Sequence, residues 1–185
     1  MLRLFVGFKV PENVSEQLEN LKGGIPRARW IPKENYHLTL SFIGEVDEVT
    51  AEEADNALRG ISFPSFDLSL CQIGYFTKNK DEVRTLWTGV DNYHVLDRLH
   101  EKIDVALQNR RIDISKTRFH AHCTLAKMQG TSIDEAQKYV AMHNLFRSKP
   151  FYVDKFYLFE SIRGSSGSHY KILAEYELYQ KIEQL

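Results

Sequence analysis

Hydrophobic residues recur with period two in short runs and at helical spacing in longer ones, and this rhythm lays out the elements of the chain. "LRLFVGFKV" (residues 2–10) is rich in branched and aromatic side chains and ends at Pro11, which predicts a strand. "PENVSEQLENLKGG" (11–24) spaces Val14, Leu18 and Leu21 helically, opens on proline and acidic residues and closes on Gly23-Gly24, which predicts a helix. "YHLTLSFIGEV" (36–46) follows as a strand, "DEVTAEEADNALRG" (47–60) as a helix and "FPSFDLSLCQIGYF" (63–76) as a strand. The same order then returns in "RTLWTGV" (84–90), "YHVLDRLHEKIDVALQNR" (93–110), "FHAHCTLAK" (119–127), "SIDEAQKYVAMHN" (132–144) and "KPFYVDKFYLFES" (149–161).

An order of strand, helix, strand, helix, strand that occurs twice is an internal duplication, with halves spanning roughly 1–78 and 84–185. Val6 and Val90 stand 84 residues apart and His37 and His122 stand 85 apart, so the two halves keep register. "YLFESIRG" and "HYKILAEYELY" follow as a closing pair of strands, joined by the glycine- and serine-rich "RGSSGS" as a flexible hairpin connection. The pattern predicts a single α+β domain of bilobal form: two pseudo-symmetric lobes, each with antiparallel strands and helices, around a central cleft.

The duplication repeats a chemical pattern as well as a structural one. His37-Leu38-Thr39-Leu40 and His122-Cys123-Thr124-Leu125 both read histidine, apolar, threonine, leucine. Strand alternation puts His37 and Thr39 on one face and Leu38 and Leu40 on the other, and places His122 beside Thr124 with Cys123 turned inward. Two lobes facing each other would gather two imidazoles and two hydroxyls around one point. Imidazole titrates near neutrality, so one ring can accept a proton from a nucleophile while the other donates to a leaving oxygen. The hydroxyls suit the non-bridging oxygens of a phosphodiester, and this chemistry requires no metal.

Composition narrows the partners. Lysine plus arginine (24) and aspartate plus glutamate (25) leave a formal charge of −1, which excludes wholesale coating of a duplex and leaves only local contact with nucleic acid. Two cysteines, Cys71 and Cys123, are too few for a disulfide framework and point to a reducing compartment. The N-terminal run reads as a strand and not as a signal peptide, and no apolar segment has the length of a membrane span, so a cytoplasmic protein is expected. His120 shares parity with His122, yet two imidazoles make an incomplete metal site and no carboxylate or cysteine shares that strand face. His94, His100 and His143 fall in helical patterns, where surface or packing roles are expected.

"LRLFVGFKVPENV", "ARWIPKENYHLTLSFIGEV", "FPSFDLSL", "LWTGV", "HCTLAK" and "LFESIRG" occur in order through nearly the whole chain, and together they resemble the two-histidine (2H) phosphoesterase superfamily. The likeness is to its RNA 2′,3′-cyclic phosphodiesterase branch, also called 2′-5′ RNA ligase-like. The resemblance implies hydrolysis of a terminal 2′,3′-cyclic phosphate to a 2′-phosphomonoester without a metal cofactor, on RNA 3′ ends or small cyclic nucleotides, while the built-in duplication and the lack of a coiled-coil pattern make a monomer the expectation. The resemblance also implies His37 as general acid, His122 as general base, Thr39 and Thr124 as phosphate binders, and Phe42 and Lys127 as candidate base contacts. Both candidates stand five residues after a motif histidine, against the parity of the catalytic face, so the functional reading requires each strand to end or bend there. The chain departs from the family at His120-Ala121, where an arginine-like residue and proline are usual, at Cys123 for valine, and at Lys127 for arginine. A ligase running the reaction in reverse and a non-catalytic module that binds RNA ends are the alternatives.

Overall fold

The computed structural model describes residues 1–164 and 167–180. In chain order the elements are β1 (Leu2–Lys9), α1 (Glu12–Glu19), β2 (Ala28–Trp30), a 3-10 turn (Lys33–Asn35), β3 (His37–Val46), α2 (Glu48–Arg59), β4 (Phe66–Leu68), β5 (Leu70–Thr77), β6 (Glu82–Val90), α3 (Tyr93–Asn109), β7 (Cys123–Ser132), α4 (Ile133–His143), β8 (Phe151–Val153), β9 (Lys155–Gly164) and β10 (Gly167–Glu177). All described strand pairs are antiparallel, and the class is α+β. Ser165 and Ser166 of the expected hairpin connection lie outside the described residues.

Each helix turns its apolar stripe inward. α1 buries Val14 and Leu18, α2 buries Ala54, Ala57 and Leu58, α3 buries Leu96, Leu99, Ile103 and Leu107, and α4 buries Ala136 and Tyr139. Local caps set two of the starts. Asp47 accepts the Thr50 backbone N–H at 2.8 Å, and Ser132 with Glu135 forms a capping box, so the first-turn N–H groups are not left bare. α3 packs on β3 and α2, while α4 packs across β5, β6 and β7.

One sheet runs in the order β10-β9-β1-β3-β7-β6-β5, with β2 added on β7. β1 therefore sits between β3 and β9, and β6 between β7 and β5. The third strand of each sequence half pairs with the first strand of the other half, so the lobes exchange strands. β3 and β7 meet at the centre through a single pair, Leu38 opposite Cys123, both buried.

Several boundaries differ from the sequence expectation. "FPSFDLSLCQIGYF" is not one strand but β4 and β5, because Ser69 leaves the ladder: its N–H donates to the Asp91 carboxylate and its carbonyl accepts the Asp91 N–H. β8 and β9 separate in the same way at Asp154, whose carbonyl accepts the Leu178 N–H. The freed pieces, β4 and β8, pair with each other in a small second sheet. "FHAHCTLAK" turns regular only at Cys123, and β7 runs on to Ser132. The partner positions also correct the repeat register. Val6 faces Ser41, four residues past His37, and Leu86 faces Ala126, four past His122, so Leu86 and not Val90 is the counterpart of Val6.

Candidate active site

The central Leu38–Cys123 pair determines how the two motifs face each other. In an antiparallel register the flanking residues follow: His37 stands across from Thr124, and Thr39 across from His122. Opposite Cβ atoms in such a ladder are about 4.5–5.5 Å apart and the diagonal positions about 7–8 Å, so the imidazoles occupy one diagonal of a four-residue patch and the hydroxyls the other. Leu38 and Cys123 point the other way and are only 1% and 0% exposed. Cys123 is thus removed from the reactive face, and burial pushes its thiol up to about 12.

Both strands carry a bulge at the same place. On β3, Leu40 is extra between the pairs Gly7–Thr39 and Val6–Ser41; on β7, Leu125 is extra between Trp87–Thr124 and Leu86–Ala126. Each extra leucine lies three residues after its histidine. A bulge shifts the alternation by one, so Phe42 rejoins the face of His37 and Thr39, and Lys127 rejoins that of Thr124. The bend that strict alternation lacked is therefore present at both positions. Each bulged carbonyl finds a donor outside the ladder: Leu40 O accepts from Nδ1 of His100 at 2.7 Å, and Leu125 O accepts from the Ile31 N–H at 2.9 Å.

The imidazoles are held alike. Nδ1 of His37 donates to the carbonyl of Asn35 at 2.7 Å, and Nδ1 of His122 donates to the carbonyl of His120 at 2.6 Å. A carbonyl can only accept, so the proton of each neutral ring sits on Nδ1 and the Nε2 lone pair is left for chemistry. Aromatic rings pack around both. His37 contacts Phe5 at 5.1 Å and Tyr170 at 4.6 Å between centroids, and His122 contacts Phe76 at 5.0 Å and Trp87 at 6.2 Å. Burial lowers the pKa of both histidines, with the charge of Lys127 acting in the same direction on each. For His37, where His122 adds a further repulsion, the value falls to about 4.

A cleft of about 330 Å³ opens onto this patch, lined by Thr39, Phe42, Phe76, Arg84, His120 and His122 among others. Lys127 lines a neighbouring recess with Arg29, Trp30, Asn35 and Tyr170. His120 is exposed and sets its ring edge-on to Trp87 at 4.7 Å. No group of three or more His, Cys, Asp or Glu side chains able to hold a metal occurs among the described residues.

Sequence reasoning missed His100 and Trp87 as contributors, and it saw Arg84 only as part of a basic cluster with Lys78 and Lys80 that could guide a phosphate. His100, expected to be a surface or packing residue, holds the β3 bulge and stacks on Phe119 at 4.1 Å. Arg84 reaches the cleft from β6. Trp87 reaches His122 because Gly74, its cross-strand partner on β5, has no side chain; a Cβ there would overlap the indole. The one available signal was that glycine, isolated inside an aromatic strand. No helix of the described residues is long and apolar enough to cross a membrane.

Known proteins resemble this chain in sequence and in fold. A family model described as LigT like phosphoesterase matches residues 8–87. An RNA 2′,3′-cyclic phosphodiesterase of Thermotoga maritima is 31% identical over 180 residues, 94% of this chain and 94% of that protein. One from Archaeoglobus fulgidus is 27% identical over 179 residues, 95% of this chain and 100% of that protein. In fold, the crystal structure of E. coli LigT in apo form is similar with a TM-score of 0.79 at 22% identity, covering 97% of this chain and 98% of that one. With 31% identity carried across 94% of the Thermotoga protein, this chain belongs to the LigT-like phosphoesterase family.

Proposed function

We propose that this protein hydrolyses the 2′,3′-cyclic phosphate at the 3′ end of RNA to a 2′-phosphomonoester, using its two imidazoles as acid and base and no metal. The observation that carries the reading is the Leu38–Cys123 register, which sets two imidazoles diagonally across two hydroxyls with both Nε2 atoms free. The relatives named RNA 2′,3′-cyclic phosphodiesterase support the substrate.

In this reading His122 Nε2 takes a proton from water as the water oxygen bonds to phosphorus. The bond from phosphorus to the 3′ oxygen breaks on the far side, and His37 Nε2 gives that oxygen its proton. Thr39 and Thr124 donate to the non-bridging oxygens and hold the phosphorus in line. His37 begins unprotonated, since its pKa lies at about 4. The phosphodiester anion supplies the opposite charge that its surroundings lack, raises that pKa and draws in the proton the acid needs. Phe42 and Lys127, carried to the catalytic side by the bulges, flank the bound nucleotide. All of these groups come from one chain, which supports a monomer built as a single domain of two repeated halves, 1–78 and 84–185, and the free cysteines Cys71 and Cys123 support a reducing, cytoplasmic setting.

The test uses an oligonucleotide ending in 2′,3′-cyclic phosphate, incubated with wild type, His37→Ala and His122→Ala, with and without EDTA. Turnover to a 2′-phosphate that survives EDTA and falls about 10²–10⁴-fold in each variant is expected. A 3′-phosphate product, or loss of activity with EDTA, overturns the mechanism.

A further inference from the structure

Three cations, Arg29, Arg84 and Lys127, stand beside the histidine patch. Arg29 on β2 stands directly opposite Lys127 on β7, and Thr85, next to Arg84 on β6, stands opposite Lys127 from the other side. Like charges facing each other across a strand pair oppose the pairing. None of the three joins an ion pair among the described residues, although nearby Arg27 binds Glu135 and Lys78 binds Glu82. Their mutual repulsion is felt, since Arg84 and Arg29 both help burial to lower the pKa of Lys127.

The three also form a track. Arg84 lines the cleft with Thr39 and His122, and Lys127 acts on both histidines while lining the neighbouring recess of about 240 Å³. Arg29 lies one strand further out in that recess, about 4.8 Å away in the pairing direction. His169 and Tyr170 line the recess with aromatic residues, Trp30 lines it while its ring packs on Tyr139 of α4, and Glu34 is its one carboxylate. Cations following a line, with rings beside them, fit a single-stranded nucleic acid: the charges take phosphates and the rings take bases.

We propose that the recess bounded by Arg29, Trp30, Lys127 and Tyr170 binds the internucleotide phosphate and base next to the reacting end of an RNA strand. The preferred substrate is then an oligoribonucleotide end and not a free nucleoside cyclic phosphate. This rests on the reaction proposed above and adds to it a second subsite, with Arg29 as the residue that senses chain length. Arg29 is exposed and faces a like charge, so replacing it leaves the fold at least as stable, which a thermal melt checks.

The experiment compares Arg29→Gln and Arg29→Lys with wild type on a trinucleotide ending in 2′,3′-cyclic phosphate and on a mononucleoside 2′,3′-cyclic phosphate. On the trinucleotide, Arg29→Gln should lose about tenfold in kcat/KM through KM, and its slope of log(kcat/KM) against log salt should become shallower by about 0.7. Arg29→Lys should recover most of the loss, and both variants should match wild type on the mononucleoside. An equal change on the two substrates, or none on the trinucleotide, overturns the subsite. Absence of wild-type turnover on both substrates sinks the proposed reaction instead. In that case direct titration with a trinucleotide 3′-phosphate still reads the subsite, as weaker binding by Arg29→Gln or as no difference.

Discussion

Acidification from pH 7 to pH 4.5 should destabilise this protein, and His37 is one of the side chains responsible, alongside His122. The folded pKa of His37 is about 4 against an ordinary 6.5, because burial disfavours the imidazolium and His122 and Lys127 repel it. Between those values the unfolded chain binds more protons than the folded one, so stability rises with pH and falls on acidification. At pH 4.5 the unfolded imidazole is almost fully protonated and the folded one only about a quarter so, which makes the differential loss about 2 kcal/mol at 1.36 kcal/mol per pKa unit. Glutamine is neutral throughout, so His37→Gln removes this contribution and leaves the other titrating groups in place. Urea unfolding of both proteins across pH 4.5 to 7 measures the difference, and wild type should lose about 2 kcal/mol more than the variant. Parallel stability curves would show that His37 is not held neutral by its surroundings. His37 would then need no bound phosphodiester to raise its pKa before acting as the acid.

Three further perturbations test the scaffold of the site. Gly74→Ala places a methyl where the Trp87 indole lies, so it should shift the tryptophan emission, cost about 1–3 kcal/mol of stability and lower turnover by disturbing His122; an unchanged spectrum and rate would show that the ring yields freely. His100→Ala frees the Leu40 carbonyl at the β3 bulge, and turnover should fall about tenfold with partial recovery in His100→Gln, whose amide can still donate; equal rates in all three proteins would show that the bulge holds without this bond. Cys123→Val exchanges one buried small apolar group for another and should leave kcat within about twofold, as followed with a cyclic-phosphate substrate, while a large loss would return the thiol to the chemistry.

The duplicated motif was legible because strand alternation is local: two positions apart means the same face, so His37 with Thr39 and His122 with Thr124 followed from spacing alone. Phe42 and Lys127 escaped that rule for an equally physical reason. A bulge adds one residue to one strand only, and whether it forms depends on the partner strand and on who satisfies the freed carbonyl. Here the donors are His100, from a helix 60 residues away, and Ile31, from the loop after β2, and neither partnership leaves a trace in local periodicity. The strand exchange between halves was hidden in the same way, because "FPSFDLSLCQIGYF" looks continuous until Asp91 draws Ser69 out of the ladder. What recurs in both halves is therefore more than a tetrapeptide: a histidine bonded to the carbonyl two residues before it, a threonine on the same face and a leucine bulge three residues on. A structural strand copied without function would be free to lose its bulge in either half. Both halves keep it, and both use it to turn a side chain from the core side toward the patch: a ring at Phe42 and a cation at Lys127. The geometry is symmetric while its chemistry is not, as suits a substrate with a base on one side of its phosphate and a charged strand on the other.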